Sequence, residues 1–307
     1  MAEPMDETTR QRVLDTYRIV DSLPEAAYRD IVELASTLCD TPIALVSLVD
    51  RDRQWFKASR GLESTGTRRD EAFCNHAIEA PAQLMEVPDA RRDSRFQANP
   101  LVTGDLSLRF YAGMPLLAEG GAAIGTVCVL DKQPRELDAR QRAGLEALAR
   151  LTMTLIEARQ HEQQLERAVL FAEAAKAEAG AAPAAGSSYS VVILQIQDLA
   201  GHALRLGERT LERHLQELER QLQAALVPHS GDSINRTSLS PDFIAVLHGA
   251  AAPATEQALR AVVGEFTARS GIDVRTGSAD AAGASERIEQ VFLRADEALT
   301  RAKDTAA

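Results

Sequence analysis

LSLRFYAGMPLLAEGGAAIGTVCVLDKQPREL, residues 106–137 of a 307-residue chain, reads as a strand, a glycine-rich turn, a second strand and a sharp stop. Residues 110–117 are apolar and aromatic, with Gly113 and Pro115 inside the run. Glu119-Gly120-Gly121 supplies the positive φ that a tight turn demands. Residues 123–130 form a second apolar run, rich in β-branched side chains, and residues 131–134 end it.

The same grammar continues upstream. Thr41-Pro42 opens the apolar run IALVSLVD (43–50), and the turn RDRQ (51–54) leads into WFKASRGL (55–62). FCNHAIE (73–79) reads as a short helix, and MEVPDARRDSRFQANPLV (85–102) as a strand and a long loop. RFYAGMPL, IGTVCVLD, the Pro134-Arg135 stop and this upstream order resemble the GAF family of small-molecule sensor domains, from about residue 12 to residue 159. The resemblance implies an antiparallel sheet flanked by helices. It implies no particular ligand, because GAF domains bind cyclic nucleotides, tetrapyrroles or small metabolites, or have no known ligand.

Composition narrows the class. The net charge of −11 speaks against nonspecific nucleic-acid binding. Apolar runs fall short of the ~20 residues a membrane helix needs. The charged start MAEPMDETTRQR has no apolar core, so a cytoplasmic protein without a secretory leader is expected. Three widely spaced cysteines, Cys39, Cys74 and Cys128, suggest no disulfide framework.

Residues 137–179 hold no proline, a single glycine (Gly144) and many strong helix formers. Leu148, Leu151, Leu155, Ala158, Glu162, Leu165, Val169 and Ala172 alternate at spacings of three and four, an imperfect seam for a parallel dimer. The plainer reading is that the first half of this helix packs on the preceding sheet. GAAPAAGSS (180–188) breaks the helix and reads as a linker.

The rest of the chain begins with the strand YSVVILQIQ (189–197). Residues 202–226 read as one amphipathic helix, with Leu204, Leu211, Leu215, Leu218 and Leu222 on one side. Strands at 233–239 and 242–249 flank a turn at Ser240-Pro241; a helix (255–270), a strand (272–280) and a closing helix (285–304) follow. Residues 293–299, Gly207-Glu208 with Leu211, and residues 242–247 resemble the GGDEF domain of diguanylate cyclases, which implies a ferredoxin-like, cyclase-palm α+β fold. The expected fold class is therefore α+β throughout: a GAF domain at 1–160, a coiled-coil-like helix at 137–179 overlapping its end, the linker, and a GGDEF-like domain at 189–305.

That second resemblance implies lost chemistry. Diguanylate cyclases hold divalent metal with carboxylates and need a thin glycine backbone against the nucleotide. Gln195 and Gln197 stand where the family has Asp, and Leu239-Ser240 where it has its glycine pair. Pro241 adds a residue without an N–H donor. Asp242 alone remains acidic, and the family's product-binding Arg-x-x-Asp reads His229-Ser230-Gly231-Asp232, without its arginine. A retained dimerisation or signalling scaffold is expected, with an unorthodox cyclase that uses Asp242 as the competing enzyme reading.

For the first domain the expected ligand-binding residues are Trp55, Phe56, Phe73, Cys74, His76, Phe96, Arg109, Phe110 and Tyr111, where aromatic side chains concentrate. Arg109 is placed to anchor an anion or, more plainly, to pair with Asp89 or Asp93. Bilin-binding GAF domains attach chromophore through a Cys adjacent to His; here Asn75 intervenes, and residues two apart on a helix do not share a face for joint metal binding. The cysteine spacings do not resemble those of free methionine sulfoxide reductases. No metal or cofactor is expected, an unidentified small ligand is allowed for, and the expected partners are a second copy of the chain and a downstream signalling protein. An adaptor with an empty GAF cavity is the third reading.

Overall fold

The computed structural model describes residues 5–180, 189–228, 230–237, 240–283 and 286–304, with side chains described through residue 172 in the first stretch. Two units result, residues 1–160 and 161–307.

In the first, α1 (Glu7–Thr16) starts at Asp6, whose carboxylate accepts the Thr9 N–H. α2 (Ala26–Cys39) buries Tyr28, Ile31, Val32, Ala35 and Cys39, a stripe at helical spacing, and stops at Asp40 in the left-handed region (φ 52°). Then come β1 (Ile43–Val49), β2 (Arg53–Arg60), β3 (Gly66–Arg68), α3 (Phe73–Ala77), β4 (Met85–Val87), α4 (Pro100–Thr103), β5 (Phe110–Leu117), β6 (Ala123–Asp131) and α5 (Ala139–Gly180). The six strands form one antiparallel sheet in the order β3-β2-β1-β6-β5-β4. The hairpin expected from residues 106–137 pairs Tyr111 with Leu130 and Gly113 with Cys128. Gly120 and Gly121 take φ of 86° and 91° at its turn.

Strand alternation sorts side chains between two faces. Leu45, Phe56, Tyr111, Cys128 and Leu130 join α3 and the following loop in one core cluster. The other face receives α2. α5 buries Leu145, Leu148, Ala149, Met153 and Ile156. Its Gly144 runs so close to α2 that a Cβ would lie 2.1 Å from Leu38 Cδ2. Leu148 therefore belongs to this packed stripe, whereas Leu151, Ala158, Glu162, Leu165, Val169 and Ala172 of the expected seam are exposed and Leu155 is half-buried.

In the second unit the order is β7 (Tyr189–Ile196), α6 (Leu199–Leu206), α7 (Glu208–Ala224), β8 (Ser233–Arg236), β9 (Asp242–His248), α8 (Ala252–Ser270), β10 (Val274–Asp280) and α9 (Ile288–Asp304). The antiparallel sheet runs β10-β7-β9-β8, the ferredoxin-like arrangement. The single helix expected over 202–226 is two helices. Gly207 (φ 80°) breaks it, and the first begins earlier, where Asp198 accepts the Gly201 N–H. Leu211, Leu215, Leu218 and Leu222 are buried as expected, but Leu204, on the other side of the break, is exposed. Phe171 packs with Tyr189, Ile193, Ile244 and Phe292. The helix runs to Gly180, and the expected linker beyond it (181–188) lies outside the described residues. Among the described residues no helix is long and apolar enough to cross a membrane.

Candidate functional site

α3 sets Cys74 against the middle of the first sheet. Tyr111 lies along β5 directly over Gly113, where a Cβ would come within 2.1 Å of the phenol oxygen. The missing side chain at 113 therefore lets the ring reach the sulfur. Tyr111 Oη donates to Cys74 Sγ at 3.3 Å, Thr126 Oγ1 at 3.0 Å, Ser47 Oγ at 3.4 Å and Gln54 Nε2 at 3.1 Å. Cys128 Sγ is 3.7 Å away. Ser47 and Thr126 face each other in the β1–β6 register, their hydroxyl oxygens 3.1 Å apart. Cys74, Tyr111, Ser47, Thr126, Cys128 and Gln54 are all buried.

Electrostatics follow from that donor shell. Burial pushes the Cys74 thiol up, but hydrogen bonds from Cys128, Ser47, Thr126 and Tyr111 outweigh it and bring the thiol below its ordinary value. Burial and the adjoining Cys74 push Cys128 well above its own. Burial and the two sulfurs likewise raise the Tyr111 phenol, which stays a donor. The arrangement is one polarised sulfur, with a protonated one beside it, inside an otherwise apolar core.

Aromatic rings close the site. Phe73 and Phe96 stack at 3.9 Å, Phe73 lies 5.3 Å from Tyr111, and His76 meets Phe96 edge-on at 5.0 Å. The Arg95 guanidinium covers the Phe96 ring at 4.9 Å. Of the expected pocket residues, Phe56, Phe73, Cys74, Phe96 and Tyr111 share one cluster, with half-exposed His76 at its rim. Trp55 and Phe110 do not belong to it. Each is one residue out of phase with Phe56 and Tyr111, and so is buried on the opposite face. Nor does Arg109 pair with Asp89 or Asp93. Its Nη1 donates to the Val102 and Leu108 carbonyls at 2.9 Å each, while Asp89 holds Arg91 and Asp93 holds Arg95. Among the described residues no three His, Cys, Asp or Glu side chains could hold a metal together.

Ser47, Gln54, Thr126 and Cys128 were not anticipated as a group. A faint signal exists: Ser47 and Thr126 are hydroxyl residues inside otherwise apolar strands. Lys57 on β2 was also missed. Its fully buried ammonium donates to Ser22 Oγ at 2.8 Å, the Leu23 carbonyl at 2.7 Å and Glu25 at 2.6 Å. Glu25 also receives Arg159 of α5 at 3.2 Å, and Arg159 donates to the Tyr17 and Arg18 carbonyls.

In the second unit, the β7–β9 register sets Gln195 opposite Asp242. Gln195 Nε2 donates to Asp242 Oδ1 at 2.8 Å and Ser240 Oγ to Oδ2 at 2.7 Å. Gln197 Nε2 donates to the Gln195 carbonyl at 3.1 Å. Asp242 is 1% exposed, and a cation would have to displace neutral donors from both its oxygens. Asp232 accepts the His248 N–H at 2.7 Å, a bond that braces β9. Leu239 and His229 lie outside the described residues.

The family model for the GAF domain matches residues 23–156. A cyclic di-GMP phosphodiesterase of Pseudomonas aeruginosa is 42% identical over 154 residues, which make up 50% of this chain and 26% of that protein. The chain thus spans about a quarter of that relative's length. Among solved structures, the GAF domain of an Acinetobacter phosphoenolpyruvate-protein phosphotransferase is similar at 16% identity. The match covers 50% of this chain and 95% of that one, with a TM-score of 0.38. The GGDEF domain of DgcB from Caulobacter crescentus, in complex with c-di-GMP, is similar at 19% identity over 47% of this chain and 85% of that one, with a TM-score of 0.37.

Proposed function

We propose that residues 23–156, which match the family model for the GAF domain, form a sensor domain, and that the chain is a signal-transduction protein of cyclic di-GMP signalling. In this reading the GAF domain senses a small ligand or a redox or metabolic cue, α5 relays it within a parallel homodimer, and the second unit is a GGDEF-like domain that does not turn over GTP. The output is a changed contact with a downstream protein.

The observation that carries this reading is the state of Asp242. Phosphoryl transfer is mostly positioning and charge neutralisation by metal. The one acidic group at the signature is committed to Gln195 and Ser240, and the amide at 195 supplies a donor where a cation needs an anionic ligand. Purified chain with GTP and Mg²⁺ or Mn²⁺, assayed by chromatography, is expected to give no cyclic dimeric GMP. Turnover that disappears in Asp242→Ala refutes the reading.

A second observation favours a ligand-free GAF domain. Phe73, Phe96 and Tyr111 pack on one another where a ligand was expected. Native mass spectrometry of the purified chain separates the two readings: a co-purifying small molecule supports a cavity ligand, and the bare chain mass supports a cue that acts on the core itself.

A further inference from the structure

Cys74 and Cys128 are 54 positions apart in sequence, yet their sulfurs sit 3.7 Å apart at the centre of the GAF core. We propose that they form a peroxide-responsive thiol pair, with Cys74 the attacking sulfur, Cys128 the resolving one, and a disulfide between α3 and β6 as the product. This deepens the redox-cue branch of the functional reading above and rests on it.

Several independent features of the site bear on this. A disulfide requires sulfurs about 2.05 Å apart, so a side-chain movement of less than 2 Å closes the gap. Four donors converge on Cys74 Sγ: Ser47, Gln54, Tyr111 and Thr126. They are the groups that stabilise a thiolate without a neighbouring cation. The third cysteine lies outside the pair. Cys39 ends α2, which packs on the other face of the sheet, and burial pushes its thiol up to about 11. Cys74 is 1% exposed, so peroxide reaches it only when the five-residue α3 opens locally, on the side rimmed by half-exposed His76.

The chemistry balances in two steps. Cys74 thiolate attacks one peroxide oxygen; the S–O bond forms, the O–O bond breaks, and the departing hydroxide takes up the proton that Cys74 gave up. Cys128 sulfur then attacks the sulfenic sulfur; the S–S bond forms, the S–O bond breaks, and hydroxide leaves with the Cys128 proton as water. Two sulfurs each lose one electron, and one peroxide becomes two waters. The disulfide ties α3 to the strand that leads into α5.

The test uses the full chain and hydrogen peroxide, at an exposure that converts free cysteine to cystine. Denaturing alkylation and mass spectrometry then count thiols. The expected result is a fall from three alkylatable thiols to one, a chain two hydrogens lighter, Cys74 and Cys128 peptides joined, and full reversal by dithiothreitol. In Cys128→Ala oxidation is expected to stop at a sulfenic acid on Cys74, trapped by dimedone. Three alkylatable thiols in treated wild type, or a bridge that includes Cys39, overturns the proposal. The wild-type count decides the matter even if the variant fails to fold. GTP turnover and dimer dissociation leave this count unchanged, so failure of the pair and failure of the wider signalling reading are separately visible.

Discussion

Leu165→Glu tests the relay. Leu151, Leu165 and Val169 are 55%, 56% and 58% exposed on one chain. Fully burying such a side chain contributes about 1.5–3 kcal/mol, and somewhat more than half of that remains to be gained at each, about 1–1.5 kcal/mol. Three such side chains on each of two helices offer about 6–9 kcal/mol of gross burial before the cost of association. Glutamate at 165 in both copies removes about 2–3 kcal/mol of it and sets like charges across the seam. Dimer Kd is then expected to weaken by about 30- to 150-fold or more. Because Leu165 packs on little within its own chain, monomer stability is expected to change by no more than about 0.5 kcal/mol. Sedimentation velocity over a concentration series measures the first quantity and urea unfolding the second. A wild type that is monomeric at about tens of micromolar refutes the reasoning, as does a variant whose Kd matches the wild type.

Other perturbations follow from the cores. Gly113→Ala places a methyl on the Tyr111 phenol, so a loss of about 1–3 kcal/mol in denaturant unfolding is expected, with faster Cys74 alkylation as the ring lifts; unchanged stability contradicts the packing described. Gln195→Glu sets a second buried carboxylate against Asp242, and is expected to cost about 3–5 kcal/mol near neutral pH and less as the pH falls and one of the two carboxylates takes up a proton; a flat pH dependence counts against it. Burial, reinforced by Arg159 and partly offset by Glu25, lowers the Lys57 ammonium from 10.5 to about 8. The folded chain therefore releases this proton near pH 8 while the unfolded chain keeps it to 10.5, and stability should rise with pH across that window. The rise is worth up to about 3 kcal/mol and is expected to vanish in Lys57→Met; parallel urea-stability curves for the two proteins would refute it.

What the sequence determined by itself was local. The hairpin of residues 106–137 was legible because its two apolar runs and its Gly120-Gly121 turn are contiguous. The stripe of α7 was legible because its leucines repeat at helical spacing. Neighbours such as Trp55 and Phe56 were bound to lie on opposite faces, but which face held α3 depended on strand partners elsewhere in the chain. Arg109 looked like an anion anchor because composition shows charges, whereas the carbonyls that hold it, at Val102 and Leu108, are invisible in a side-chain alphabet. Gln195 and Asp242 were each readable; that the amide of one donates to the carboxylate of the other followed from the β7–β9 register. Tertiary structure alone brought Cys74 from a short helix to Cys128 from a central strand, with Ser47 and Thr126 meeting across β1 and β6. Hydrophobic periodicity records which residues are buried, but a polar cluster is assembled by contacts between distant strands, and no local pattern encodes those distances.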